Sequence, residues 1–199
     1  MGIERFGRKR EAIWRIVSQE LNANFVPKQG FRDSHKIVAR HDNWTIVIDT
    51  YKRGKAPRVT HIRAPYINRD GFEFRIYRRR AFSNLRKAMG MQDVVIGFKQ
   101  FDEDFIIQGN DEQKLRALFD NDLIRRLIAW QPQIMLWNEV DEAYAHNPLA
   151  DGGISELRFE TRGIISQTQQ LKDLYELFAE LLDHLCHIGS AYEDDPMRK

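Results

Sequence analysis

The sequence predicts an α+β fold: an antiparallel sheet packed by a long C-terminal helix and an N-terminal amphipathic helix. Two observations predict this class. From Leu171 to Ile188 apolar residues recur at three- and four-residue steps, which places them on one stripe of a helix. Before that helix, several shorter segments alternate apolar and polar residues, as strands with one buried face do. The composition, 42% hydrophobic and 30% charged residues among 199, is that of a folded domain.

The first predicted element is a basic amphipathic helix over Ile3–Leu21. Its apolar residues, Trp14 and Val17 among them, follow helical spacing with arginines between them. Such a helix either docks on its own domain or lies on a membrane surface, and we favour docking. Pro27 and Gly30 end the element, so residues 1–30 are assigned to this helix and a linker.

Four strands follow, over Lys36–Arg40, Trp44–Lys52, Val59–Tyr66 and Phe72–Arg79. The segment His41-Asp42-Asn43 predicts a tight turn between the first two strands. Gly71 favours a bulged hairpin turn between the last two, since it tolerates a positive φ. We therefore expect a meander in which Val59–Tyr66 pairs directly with Phe72–Arg79.

The middle of the chain predicts shorter elements. A helix over Arg80–Met89 ends at Gly90, and a short strand covers Phe105–Gln108. Asn110 and Gln113 have the spacing of a capping box, which predicts a helix running to about Phe119. A helix over Leu123–Trp130 follows. The strands Gln133–Val140 and Ile154–Thr161 then flank a loop over 141–153.

The last predicted element is a helix over Gln167–Ile188, opened by a second capping-box candidate, Ser166 to Gln169. Leu174, Phe178, Leu181, Leu182 and Leu185 form its expected core face. We assign residues 31–190 to one α+β domain. Residues 191–199 are expected to be a flexible tail because they offer little to bury.

Charge divides the chain into two unlike halves. Residues 1–100 hold 22 basic and 9 acidic side chains, whereas residues 101–199 hold 9 basic and 20 acidic side chains. Either the basic half meets an anionic partner, or the two halves neutralise each other within one subunit or across a dimer. The sequence leaves both interpretations open.

A candidate anion-binding surface follows from the expected pairing of Val59–Tyr66 with Phe72–Arg79. Ile62, Ala64, Phe74 and Ile76 would share the apolar face. The opposite face would then collect the cationic and aromatic side chains His61, Arg63, Arg75, Tyr77 and Arg79. Arginines beside an aromatic ring hold phosphates and stack on bases. The alternative is that a helix or acidic residues of the second half cover this face.

Other candidate chemistry is weaker. His184 and His187 lie away from the apolar stripe of the C-terminal helix. A native metal site usually has three or four protein ligands, so this pair alone leads us to predict no metal site. Cys186 borders that stripe and reads as a packed residue. Nucleotide-binding and hydrolase motifs are absent from the sequence, so we predict no cofactor and favour binding over catalysis. A single cysteine and the lack of a long apolar run favour a soluble, cytoplasmic protein.

One stretch resembles a family of bacterial domains of unknown function. It is Phe101-Asp102-Glu103-Asp104-Phe105-Ile106-Ile107-Gln108-Gly109-Asn110-Asp111, which is similar to their signature Phe-Asp-x-x-Phe-x-Val-x-Gly-Asn-Asp. The resemblance covers roughly residues 44–185, implies one continuous domain there and brings no activity with it. A structural role explains the same residues: the two phenylalanines anchor a turn, Gly109 eases the backbone, and Asn110 or Asp111 caps the next helix.

The sequence therefore favours a non-catalytic protein-interaction or assembly module. The expected partner is a second copy of the chain or another protein. The alternative is a binder of an anionic ligand or nucleic acid that uses the basic sheet face.

Overall fold

The computed structural model describes residues 2–30, 33–52, 54–79, 92–140, 153–194 and 196. Over this part of the chain the fold is α+β, an antiparallel sheet with helices packed on one face, as predicted. The predicted helix over Arg80–Met89 and residues 141–152 of the predicted loop lie outside the described residues. No helix within the described ranges combines the length and apolar character that crossing a membrane requires.

The described helices and strands have the following bounds. The helices are α1 (Gly2–Glu20), α2 (Lys99–Asp104), α3 (Glu112–Asp120), α4 (Asp122–Trp130) and α5 (Thr168–His187). The strands are β1 (Asn24–Val26), β2 (Lys36–His41), β3 (Trp44–Tyr51), β4 (Val59–Asn68), β5 (Phe74–Arg78), β6 (Gln92–Asp93), β7 (Phe105–Gly109), β8 (Met135–Val140), β9 (Ile154–Arg162) and β10 (Ala191–Tyr192).

Among the described residues the strand order is β1-β2-β3-β4-β9-β8-β5-β7-β6, and β10 pairs with the end of β4. The predicted β2–β3 and β8–β9 pairs are present. The β4–β5 hairpin prediction is wrong, because β9 and β8 lie between those two strands. The chain therefore crosses from β4 to β5 over the ends of two other strands.

Strand alternation separates a core face from a polar face. On β4 the core face carries Thr60, Ile62, Ala64 and Tyr66, which are fully buried. The helices cover this face and share one apolar cluster with it. The five α5 residues predicted to be core, Leu174, Phe178, Leu181, Leu182 and Leu185, are all buried.

Both terminal segments belong to the sheet-and-helix unit. Trp14 of α1 is 3% exposed, and its indole Nε1 donates to the carbonyl oxygen of Ile165 at 3.0 Å. β1 extends the sheet beyond β2. α1 therefore packs on the same core as the rest of the described chain. Ala191 and Tyr192, the first residues of the predicted flexible tail, pair with β4 as β10.

Helices α3 and α5 each begin one residue later than the predicted capping boxes place them. Asp111, not Asn110, is the N-cap of α3, and its carboxylate accepts from Lys114 N at 3.0 Å. Gln167 precedes α5, and its side chain makes no capping hydrogen bond, so the Ser166 capping box is wrong. α5 is held by burial of its apolar face rather than by a side-chain cap.

A buried polar network fastens the crossover between β4 and β5. Asn68 Nδ2 donates to Phe72 O and to Ser155 Oγ, both at 3.0 Å. Asn138 Nδ2 donates to Phe72 O at 2.7 Å and to Tyr66 Oη at 2.6 Å. Burial raises the pKa of Tyr66 far above its usual value, so the phenol stays protonated. These bonds satisfy groups that the crossover would otherwise bury unpaired.

Candidate functional site

The predicted anion-binding residues lie in two rows that run across the polar face of the sheet. One row aligns Arg63, Arg158, Trp137 and Arg75 on neighbouring strands. The next aligns His61, Glu160, Met135 and Tyr77. The predicted site is therefore split, because two strands of the acidic half separate β4 from β5.

Acidic side chains interleave with the basic ones on this face. Arg63 Nη2 lies 3.8 Å from Asp49 Oδ2, and its Nη1 lies 3.8 Å from Glu156 Oε1. His61 Nδ1 lies 3.6 Å from Asp49 Oδ1. Arg158 contacts Glu139 and Glu156. The Arg63–Glu156 pair joins the basic half to the acidic half, as the second interpretation of the charge division expected, whereas the other pairs named here lie within one half.

The remaining predicted residues do not complete an open cationic surface. Tyr77 is 1% exposed. Arg79 turns to the C-terminal end of α2, where its guanidinium donates to the carbonyls of Asp102 at 3.0 Å and Glu103 at 3.3 Å. That end of a helix carries unpaired carbonyls and negative partial charge. Anion binding by the five predicted residues stays a prediction, now without the shared surface that motivated it.

The signature stretch has a structural role. Phe101 and Phe105 are buried with ring centroids 4.6 Å apart, which anchors α2 to β7. The Asp102 carboxylate accepts from the backbone N–H groups of Ile96 and Gly97, each at 3.0 Å. Asp102 thus closes a backbone turn through ordinary hydrogen bonds.

The end of the signature ties β7 to the crossover. Asn110 Nδ2 donates to Gly71 O at 2.7 Å, while its Oδ1 accepts from Glu73 N at 2.9 Å. A Cβ at Gly109 would lie 2.7 Å from Glu73 O. Gly109 is therefore required by close backbone approach, and its φ is not positive.

The C-terminal histidines and Cys186 also have local partners. His184 Nε2 lies 3.0 Å from Ala117 O, and its ring stacks on His187 with centroids 5.2 Å apart. Burial, with nearby Glu193 and Asp183, raises the pKa of Cys186 to about 11, so the thiol is a poor nucleophile at neutral pH.

A histidine that the sequence did not single out pairs with α5. His41 Nε2 lies 2.9 Å from Asp183 Oδ2, and the ligand atoms of His41, Asp42 and Asp183 lie within 4.8 Å of one another. The contact joins the β2–β3 turn to α5 across 142 residues of sequence, a separation that local patterns do not bridge.

Exposed charge concentrates at the two ends of the strands. We define the basic end as the place where β4 begins and β3 and β9 finish. Ser34 Oγ accepts from Thr50 N at 3.4 Å, and Arg58 Nη1 donates to Thr50 Oγ1 at 3.3 Å, which joins the loops there. Its described basic side chains are Arg10, Arg15, Lys28, Lys36, Lys52, Lys55, Arg58 and Arg162; Glu11 and Asp33 lie among them.

We define the acidic end as the opposite end of the strands, where the β2–β3 turn, the crossover and the C-terminal end of α5 meet. Asn43 Nδ2 donates to Glu193 O at 3.0 Å, and Ser190 Oγ donates to Asp70 Oδ2 at 3.2 Å. Its described acidic side chains are Asp42, Asp70, Glu73, Asp111, Glu112, Asp183, Glu193 and Asp194; Arg40, Arg69 and Lys114 lie among them.

The sequence contains a signal for the basic end. Residues 52–58, between β3 and β4, read Lys-Arg-Gly-Lys-Ala-Pro-Arg, with four basic and no acidic residues. The partners that complete this end, Lys28 and Arg162, come from distant parts of the chain and meet it only in the fold.

Comparison with known proteins identifies a protein of similar fold but no family. No protein-family model and no curated protein sequence matches the chain. The structure is similar to the crystal structure of the mycobacterial trehalose monomycolate transport factor A, TtfA, with a TM-score of 0.56 and 8% sequence identity. The match covers 96% of this chain and 99% of that one. At this identity the likeness shows a shared fold alone.

Proposed function

We propose that this protein is a non-catalytic interaction module that assembles with other protein chains, in the first place with a second copy of itself. The observation that carries the proposal is the placement of opposite exposed charge at opposite ends of the strands. β4 has ten residues, which separates the two ends by about 30 Å. This exceeds the screening length of roughly 10 Å in physiological salt, so one chain does not neutralise its own ends.

Structural roles of the polar residues support binding over catalysis. Asp102 closes a turn, Asp111 caps α3 and Arg79 caps α2. His184 contacts a backbone carbonyl. Each of these groups is bonded to backbone, which supports a structural role for it rather than a catalytic one.

The structural neighbour is in keeping with this proposal. It is named as a transport factor, and the match extends over nearly the whole of both chains. That name does not describe an enzyme, which agrees with an interaction module.

The test is the mass in solution as a function of salt. We expect self-association at about 0.05 M salt that is reversed at about 0.5 M, because screening weakens attraction between complementary charges. Sedimentation velocity of the full chain measures it. The variant D42N/E193Q/D194N removes three acidic-end charges and is expected to be monomeric under the same conditions.

A matched variant, E103Q/D104N/E176Q, removes three exposed acidic charges away from the acidic end and is expected to associate like the wild type. A wild-type chain that stays monomeric at high concentration in low salt overturns self-assembly. Equal loss of association in both variants contradicts a role for the acidic end and attributes the effect to net charge.

A further inference from the structure

The basic end brings cations from four separate segments onto one side of the molecule. Arg15 lies over the Phe25 ring, 4.2 Å from its centroid, and Glu11 Oε2 lies 3.7 Å from His35 Nε2. Burial, with Lys28 and Arg15, lowers the pKa of His35, against the opposing effect of Glu11. α1 and the loop before β2 therefore share one electrostatic environment, and the β3–β4 loop and the end of β9 lie at the same end of the strands.

Helix α1 is directed outward at this end. Its C-terminal half runs along α5, where Lys172 Nζ bonds Glu20 Oε2 at 2.9 Å, and Trp14 is fixed at Ile165 near the end of the sheet. Gly2–Arg10 therefore continue beyond Trp14 for about 12 Å of helix.

An exposed tryptophan lies at the same end of the sheet. Trp130 is 61% exposed at the last position of α4. Arg78, at the end of β5, donates to the carbonyls on either side of it, to Ala129 O at 2.6 Å and Gln131 O at 2.9 Å. Tryptophan is enriched at membrane–water interfaces because its ring is amphipathic.

Two aromatic rings on the polar sheet face, Tyr77 and Trp137, are too buried to stack on bases. Tyr77 is 1% exposed and Trp137 is 7% exposed. Single-stranded nucleic acid binding combines a basic groove with accessible rings on which bases stack. Here the cations instead lie on loop tips and on a projecting helix, which suits a broad anionic surface.

We propose that the basic end, together with Trp130, docks on a membrane surface rich in anionic phospholipid. The exposed cations Lys52, Lys55 and Arg162 meet the headgroups, and Trp130 enters the interfacial layer. Binding is peripheral and reversible. The proposal does not depend on the self-assembly proposed above, since that is tested at the acidic end.

The test is co-sedimentation of the full chain with vesicles. We expect binding to phosphatidylcholine mixed with phosphatidylserine at roughly one lipid in three, and little binding to phosphatidylcholine alone. Each basic residue near such a surface contributes about fivefold in affinity, so K52Q/K55Q/R162Q is expected to bind about a hundredfold more weakly. Trp130→Ala is expected to weaken binding in a way that salt does not change.

The control variant R40Q/R69Q/R116Q removes three exposed basic charges elsewhere and is expected to bind like the wild type. D42N/E193Q/D194N is expected to keep vesicle binding whatever its effect on self-association. Equal binding to both vesicle compositions overturns the proposal, as does an equal loss in the control. Tighter binding to a DNA duplex or single strand than to the anionic vesicles overturns it in favour of nucleic acid.

Discussion

At the scale of single residues, Gly109 is the position where the structure leaves least room for change. A Cβ there would lie 2.7 Å from Glu73 O and 2.9 Å from Leu115 Cδ1. We expect Gly109→Ala to lower the free energy of unfolding by roughly 1–3 kcal/mol, the usual cost of overpacking a well-packed site. Denaturant titration measures the loss.

Gly153 provides the matched control for this change. It has no positive φ, and nothing lies within 4 Å of an added Cβ. Gly153→Ala is expected to leave the free energy of unfolding unchanged, or to raise it slightly because alanine lowers the conformational entropy of the unfolded chain. Equal effects of the two changes would contradict the importance of close approach at Gly109.

Asp70 links the crossover to α3. Burial opposes ionisation of its carboxyl, but hydrogen bonds from Lys114 Nζ and Phe72 N outweigh that effect and lower its pKa below the usual 3.8. The ionised group therefore stabilises the fold above pH 3.8. This contribution is lost as the pH falls from 3.8 through the lower pKa of the folded state.

Comparing Asp70→Asn with the wild type tests this linkage. At pH 7 we expect the variant to be less stable by denaturant titration, and the difference to shrink once the pH falls below 3.8. Lys114→Met removes the ammonium partner and is expected to reduce stability at pH 7. Because the pKa of Asp70 is then lowered less, the variant is expected to lose less stability than the wild type as the pH falls below 3.8. A difference that stays constant with pH would contradict the assignment.

At the scale of elements, α5 carries the largest part of the helix layer. Leu181 is fully buried in the cluster that joins the helices to the sheet. Leu181→Ala is expected to lower the free energy of unfolding by roughly 2–5 kcal/mol, because it removes burial and leaves a cavity. Gln169→Ala, on the exposed side of the same helix, is the control. Unchanged denaturant midpoints for both would contradict this assignment of faces.

The same scale shows where sequence reasoning succeeds and fails. Alternation predicts that Ile62 and Phe74 face the core, and both do. It does not predict which strand lies beside β4, since any antiparallel neighbour with the same alternation satisfies it. The Gly71 turn signal marked a real turn, but Asn68 and Asn138 fasten it as a crossover over β9 and β8.

At the scale of the whole molecule, that one topological fact decides the candidate site. Inserting β9 and β8 between β4 and β5 brings Glu156 beside Arg63 and disperses the predicted cationic face. Exposed charge is instead divided between the two ends of the strands, where the basic end combines Lys28 and Lys52 of the first half with Arg162 of the second. Composition could show that the charge was divided; only the strand order could place it.

The fold also predicts that the chain unfolds as one unit. Trp14 and Val17 are buried in the core shared by α5 and the sheet, and β1 extends β2. Removing residues 1–30 exposes that core along α5 and the edge of β2. Losing a buried tryptophan alone costs about 3–5 kcal/mol, a large share of the 5–15 kcal/mol of a typical domain.

We therefore expect residues 31–199 alone to lose cooperative thermal unfolding, because both the helix layer and the sheet edge are incomplete. A chain ending at Pro196, which removes only the last three residues, serves as the control and is expected to unfold like the full chain. Circular dichroism during heating, with dye binding to exposed apolar surface, separates the outcomes. A cooperative transition near that of the full chain would show that residues 31–199 form an independent domain after all, with α1 an appendage whose orientation at the basic end is not fixed by the core.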